Sequence, residues 1–264
     1  MNKLVVMLAV LLATGCASVA ALRGDSSAQV SGRTLAYEKS GGGAPTVIFE
    51  SGLGDGKDKW SQVARRVRSF APTFVYDRAG YGASSNASDA RSAVEVVGDL
   101  RALLQAAGIK PPYVLVGHSL GGLYMQYFAR NFPGEVQGLV LVESSHWDQQ
   151  ARMARGSPGT ASMVSAMVAL MAPHMHAEFD GSLVAERQVR ASPALTNIPA
   201  VVLTATKRNF LERGKFAETW YGLQKEIAAT YHAEQVIAAH SGHYIQEDEP
   251  DLVVAAVRKM LPAS

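Results

Sequence analysis

Cysteine is almost absent: Cys16 is the single one in 264 residues. The folded chain therefore has no internal disulfide, and packing must carry its stability. Charge is sparse as well, with charged residues at 18% and a formal balance of +2. The basic residues are scattered, and the densest group, Arg65, Arg66 and Arg68, falls on an expected helix. That is a solvated face and not the basic stripe that DNA or RNA requires, so no nucleic-acid partner is read. No internal repeat or low-complexity tract is present. His174 and His176 stand two apart with no partner cysteine or third ligand, which is too little for a metal site, and neither metal nor organic cofactor is expected. Long apolar runs are missing, with one exception. Leu4 through Ala13 is unbroken, yet too short to span a bilayer as a mature helix.

That run follows Asn2-Lys3 and ends at Thr14-Gly15-Cys16. A positive start and an apolar stretch of this length have the form of a signal peptide. The segment Leu12-Ala13-Thr14-Gly15-Cys16 resembles a bacterial lipobox, with its leucine one position further upstream than usual. The resemblance implies that residues 1–15 are removed and that Cys16 becomes the lipid-modified first residue, attaching an exported protein to the cell envelope. The competing expectation is cleavage near Ala20 and release as a soluble periplasmic or secreted protein. Residues 16–27 then form a linker and 28–262 the domain; 48% hydrophobic content is ample for one such domain and short for two.

Beyond the linker, strand and helix patterns alternate. Gln29 to Lys39 reads as a hairpin turning at Ser31-Gly32, followed by Gly41-Gly42-Gly43. Short apolar runs at Thr46–Glu50, Thr73–Asp77, Tyr113–Val116, Val136–Val142, Ala200–Ala205 and Gln235–Ala239 read as strands, the first two of them buried. Helices are expected at Lys59–Ser69, Val94–Ala107, Leu123–Arg130, Phe216–Thr230 and Pro250–Met260. In the second of these, Val94, Val97, Leu100, Leu104 and Ala107 share a face. Such alternation implies an α/β fold: a mostly parallel, doubly wound sheet with helices on both faces and ligands beyond the carboxyl ends of the strands.

The most informative string is Gly117-His118-Ser119-Leu120-Gly121-Gly122, directly after the strand Tyr113–Val116. G-x-S-x-G between a buried strand and a helix makes a sharp turn. It raises a serine hydroxyl above the sheet and frees the next backbone N–H. Two further motifs follow the same logic: Asp77-Arg78-Ala79-Gly80-Tyr81-Gly82-Ala83-Ser84, read as D-R-x-G-x-G-x-S, and Gly242-His243 after the last strand. With these three in order, residues 28–262 resemble the α/β-hydrolase family, which implies the sheet just described and a hydrolytic activity.

Ser119 is then the candidate nucleophile, and it needs a base within reach. Of seven histidines, His243 has the turn context after a strand and stands after the nucleophile, as the family's order requires. His118 adjoins Ser119 but is expected to point away; His146, His174, His176, His232 and His240 lack the context. The oxyanion hole is expected from the backbone N–H groups of Leu120 and Leu53. The loop carrying Leu53 reads Ser51-Gly52-Leu53-Gly54, with serine where the family usually has histidine.

The acid departs from the usual pattern. After Val201–Ala205 most of the family has aspartate, whereas Thr206-Lys207-Arg208-Asn209 contains no acid. Pancreatic-type lipases instead place it at the end of the strand following the nucleophile helix, and the resemblance then implies Glu143, after Leu139–Val142. Asp148 and Glu212 remain the alternatives, and pairing with a base such as Arg78 is the competing role for Glu143.

Residues 147–199 form an insert where the family carries a cap. Met163, Met167, Met171 and Met175 recur every fourth residue, a stripe suited to packing the cap and to lining an apolar acyl pocket. The expected chemistry is acyl transfer from a small-molecule ester, thioester or lactone to water. Serine at the nucleophile position argues against haloalkane chemistry. The other class is a surface-anchored binding protein that keeps the fold without catalysis, motivated by the displaced acid and by Ser51. Oligomeric state is not readable.

Overall fold

The computed structural model describes residues 26–87, 91–156, 170–195, 197–209 and 212–262. The signal segment, Cys16, Met163 and Met167 lie outside the described residues.

Four central strands are near-continuous aliphatic runs: β3 (Thr46–Glu50), β5 (Tyr113–His118), β6 (Val136–Val142) and β7 (Ala200–Ala205). A strand covered on both faces demands this composition. Alternate residues enter opposite cores. Leu115, Leu139 and Leu141 go to one, and Val114, Val116, Val140 and Val142 to the other. The first core is closed by α2 (Ala93–Ala106), α3 (Leu120–Asn131), α5 (Pro173–Ala191) and α6 (Lys215–Thr230), and the second by α1 (Ser61–Val67) and α7 (Pro250–Lys259).

With β1 (Ser26–Val30), β2 (Arg33–Ser40), β4 (Thr73–Tyr76) and β8 (Glu234–Ala238), the sheet has eight strands in the order β1-β2-β4-β3-β5-β6-β7-β8. β2 pairs antiparallel with β1 and with β4, and the other pairs are parallel. The expected doubly wound architecture is the one observed. After β4 the chain crosses back to the far side of β3, so the strand order reverses between β3 and β5, where open α/β sheets bind ligands.

Local departures have simple causes. The expected helix at Lys59 is a 3-10 turn (Lys57–Trp60) leading into α1. In α2 the buried stripe is Val96, Val97, Leu100, Leu103 and Leu104, while Val94 is 47% exposed. Val94 lies in the first turn, between the Ser92 and Glu95 of the capping box.

The insert contains α4 (Gln149–Gly156) and α5. The body of α5 is not a lid. It packs on α2 and α3 through Ala185 and Val189, and a Cβ on Gly181 would fall 2.5 Å from the Arg91 carbonyl oxygen. Only its first turns reach the strand tips: Met175 Cε lies 2.9 Å from where a Gly54 Cβ would stand, and His174 packs edge-on against Tyr81. Among the described residues no helix is long and apolar enough to cross a membrane.

Candidate active site

β5 ends at His118, and Ser119 adopts φ 52°, ψ −122° before α3 begins. This left-handed φ on a non-glycine residue costs roughly 1–3 kcal/mol and must be held by its surroundings. Ser119 N–H donates to the Val142 carbonyl at 3.1 Å, and the Ser119 carbonyl accepts from Gly122 at 3.0 Å and Ser145 at 2.9 Å. The glycines permit the turn: a Cβ at Gly117 would lie 2.6 Å from Gly122 Cα, and one at Gly121 2.4 Å from the Ser51 carbonyl oxygen. Leu120 opens the helix, so its N–H has no acceptor within it.

The loop Ser51–Gly54 follows β3 beside this turn. Ser51, at the position the family usually gives to histidine, donates its hydroxyl to the Gly56 carbonyl at 2.9 Å and closes the loop on itself. The Gly52 carbonyl accepts from Arg78 Nη2 at 2.7 Å, and Gly54 N–H donates to the Tyr81 hydroxyl at 3.2 Å. The peptides on either side of Leu53 are thereby fixed.

Glu143 stands at the tip of β6 with φ 46°, fully buried. Its N–H donates to the Leu203 carbonyl at 2.9 Å, and its Oε1 accepts from Ala205 N–H at 2.8 Å. Oε2 accepts from Arg208 Nη1 at 2.8 Å and from His243 Nδ1 at 3.4 Å. Burial pushes this carboxyl up, but the hydrogen bonds from His243 and Arg208 outweigh it and hold the group below the usual carboxylate range. Among the described residues Glu143 is the carboxylate hydrogen-bonded to His243. Asp148 pairs with Arg190, and Glu212 accepts from Asn209 N–H at 3.2 Å. Arg78 is not the base beside Glu143; that place belongs to Arg208, in the segment just after β7.

His243 follows β8 on a turn pinned by Gly242 N–H to Asp248 Oδ2 at 2.9 Å and by the Ser241 hydroxyl to Glu249 Oε2 at 2.7 Å. The Trp220 ring meets it edge-on at 5.8 Å. His118, expected to point away from Ser119, supports His243: its Nε2 donates to the His243 carbonyl at 2.9 Å, and the two rings lie 4.7 Å apart. Burial holds His118 well below the usual histidine range, so it is neutral, with Nδ1 unprotonated and 3.8 Å from Asp55 Oδ2. Its place next to Ser119 on a buried strand end was the signal for this role, because neighbours on a strand face opposite ways.

Arg78 lies on the other side of the site, buried between Glu50 and Glu178 at 2.7 Å from each. In the sequence Arg78 stands in the D-R-x-G-x-G-x-S loop and as a possible partner for Glu143, whereas Glu178 carries no motif. Of the two histidines considered for a metal, His174 packs on Tyr81 and His176 pairs with Asp180 at 3.2 Å.

The family model described as "alpha/beta hydrolase fold" matches residues 45–181. The uncharacterized protein YqjL of Bacillus subtilis (strain 168) is 31% identical over 222 residues, covering 83% of this chain and 84% of that protein. Two solved structures share the fold at lower identity. One, titled "Est816 as an N-Acyl homoserine lactone degrading enzyme", has a TM-score of 0.68 at 18% identity and covers 89% of this chain and 100% of that one. The other, an enol-lactonase from Burkholderia xenovorans LB400, has a TM-score of 0.63 at 18% identity, covering 89% and 99%. With the family model spanning both strand-end loops and the nucleophile turn, and with this strand order, the chain belongs to the α/β-hydrolase fold family.

Proposed function

We propose that the protein is a serine hydrolase that cleaves a small or acyl-chain ester, thioester or lactone through an acyl-enzyme on Ser119. The observation that carries this reading is the Glu143 carboxylate on His243 Nδ1, reached from the strand tip beside the Ser119 turn. A carboxylate there fixes the tautomer with Nδ1 protonated, leaves Nε2 as the base and compensates the imidazolium when it forms. His243 then takes the Ser119 proton, Ser119 attacks the carbonyl, and the N–H groups of Leu53 and Leu120 hold the tetrahedral oxyanion. Water releases the acid, with His243 again as base. The lactone-cleaving titles of two structural neighbours support lactones as a substrate class. Export and attachment through a lipidated Cys16 belong to the same proposal, on the lipobox-like segment alone.

A fluorophosphonate probe tests the chemistry. It labels the purified protein and not Ser119→Ala, and hydrolysis of p-nitrophenyl esters of increasing chain length then maps the acyl pocket. A folded protein that takes no label is instead a binding module on a hydrolase frame.

A further inference from the structure

The Arg78 guanidinium uses all its N–H donors. Nε and Nη2 donate to the two Glu178 oxygens at 2.7 and 2.9 Å, Nη1 to Glu50 Oε1 and the Ser51 carbonyl, both at 2.7 Å, and Nη2 also to the Gly52 carbonyl at 2.7 Å. Glu178 Oε2 additionally accepts from the Tyr81 hydroxyl at 2.6 Å, and that hydroxyl accepts from Gly54 N–H at 3.2 Å. Two chains of hydrogen bonds thus leave one carboxylate of α5 and end on the peptides before and after Leu53. Burial, with the Glu178 charge adding to it, pushes the Tyr81 hydroxyl far above its ordinary range, so it remains a donor to Glu178. The Arg78 and Glu178 side chains are each 1% exposed, and water does not substitute for either.

We infer that Glu178 is a positioning residue for the oxyanion hole: from the inserted helix it sets, through Arg78 and Tyr81, the direction of the Leu53 N–H. The inference rests on the serine-hydrolase reading, in which that N–H stabilises the tetrahedral intermediate. Through this link the insert, which covers the strand tips with His174 and Met175 four and three residues before Glu178, also tunes the chemical step.

The test compares wild type, Glu178→Gln and Tyr81→Phe with p-nitrophenyl butyrate and with a trifluoromethyl ketone, whose serine adduct carries an oxyanion. Losing an oxyanion donor outright costs on the order of 10²–10³ in turnover, and misdirecting one costs less. Glu178→Gln is expected to lower kcat by about 10- to 100-fold with KM within about threefold, and to weaken the ketone by a similar factor while fluorophosphonate labelling persists. Tyr81→Phe, which cuts one arm, is expected to lower kcat by about 3- to 10-fold. Should Glu178→Gln fail to fold by circular dichroism, Tyr81→Phe decides alone, and wild-type kcat and ketone affinity there overturn the inference. A folded Glu178→Gln protein that loses only thermal stability overturns it too. A wild-type protein that neither labels nor turns over ester removes the serine-hydrolase reading and this inference with it.

Discussion

Glu143 Oε2 is shared between a cation and a cation-to-be: Arg208 Nη1 at 2.8 Å and His243 Nδ1 at 3.4 Å. The shorter bond goes to the permanent charge. The longer one goes to the group that becomes charged only during turnover, and catalytic hydrogen bonds of this kind tighten when substrate binds.

Glu143→Gln is expected to fold, with Arg208 and Ala205 still finding an oxygen, yet to lose turnover on the order of 10⁴-fold. Asp148→Asn and Glu212→Gln are expected to stay within about tenfold of wild type, since their contacts are with Arg190 and Asn209. Steady-state kinetics on circular-dichroism-checked proteins decides the matter. Near-normal turnover in Glu143→Gln would move the acid elsewhere.

Arg208→Leu leaves the buried Glu143 carboxylate with His243 as its one side-chain partner among the described residues. Burial then pushes the carboxyl upward with less opposition, so the acidic limb of the kcat/KM profile moves to higher pH. A profile superimposable on wild type would show that Arg208 does not set the ionisation of the pair.

Glu186, on the buried side of α5, has its carboxyl pushed up to about 7 by burial, against a hydrogen bond from Gln150 N–H at 3.0 Å. The folded protein holds this proton to higher pH than the unfolded chain. Stability carried by the neutral form is therefore complete below the ordinary value of 4.5 and is lost as pH rises to about 7. Glu186→Gln keeps the neutral form throughout, so its advantage over wild type in urea unfolding should be absent at pH 4 and reach roughly 2–3 kcal/mol at pH 8. An advantage that does not change with pH would refute the assignment.

Two glycine substitutions should have opposite signs. Gly98→Ala, on the exposed face of α2 with nothing within 4 Å of its Cβ, should stabilise by about 0.5–1 kcal/mol. Gly121→Ala places a methyl 2.4 Å from the Ser51 carbonyl oxygen and should leave little folded protein. Thermal melts of the two variants measure both.

For Cys16, metabolic palmitate labelling in a bacterial host should be present in the full chain and lost in Cys16→Ser. A soluble mature protein beginning beyond residue 16 would rule out the anchor.

What was legible in the sequence follows from the range of the forces involved. Apolar runs, glycine turns and the Ser119 motif are local, and local patterning fixed the strands, their alternation and the strand-end position of Ser119, Glu143 and His243. Partners of buried charges are not local. Glu143 and Arg208 are 65 residues apart, and arginine leaves no periodic trace. Arg78 was a reasonable partner for Glu143 by charge alone, but the sheet order sets β3 and β5 between β4 and β6. The insert stands where the family carries a cap, and its place in the chain does not reveal that Gly181 lets the helix lie against Arg91 as a layer of the body.

In β5 and β6, His118 is in register with Val142, so Ser119 and Glu143 are the next pair along two adjacent rails. Their separation is governed by one inter-strand spacing of about 4.8 Å. His243 arrives from the edge strand β8, with β7 between it and Glu143. In mechanical terms the site is a two-rail frame met by one crosspiece from the sheet edge, which Asp248, Glu249 and His118 tie down. Loss of the Asp248 or Glu249 tie would therefore move the base against a nucleophile and an acid that keep their mutual spacing.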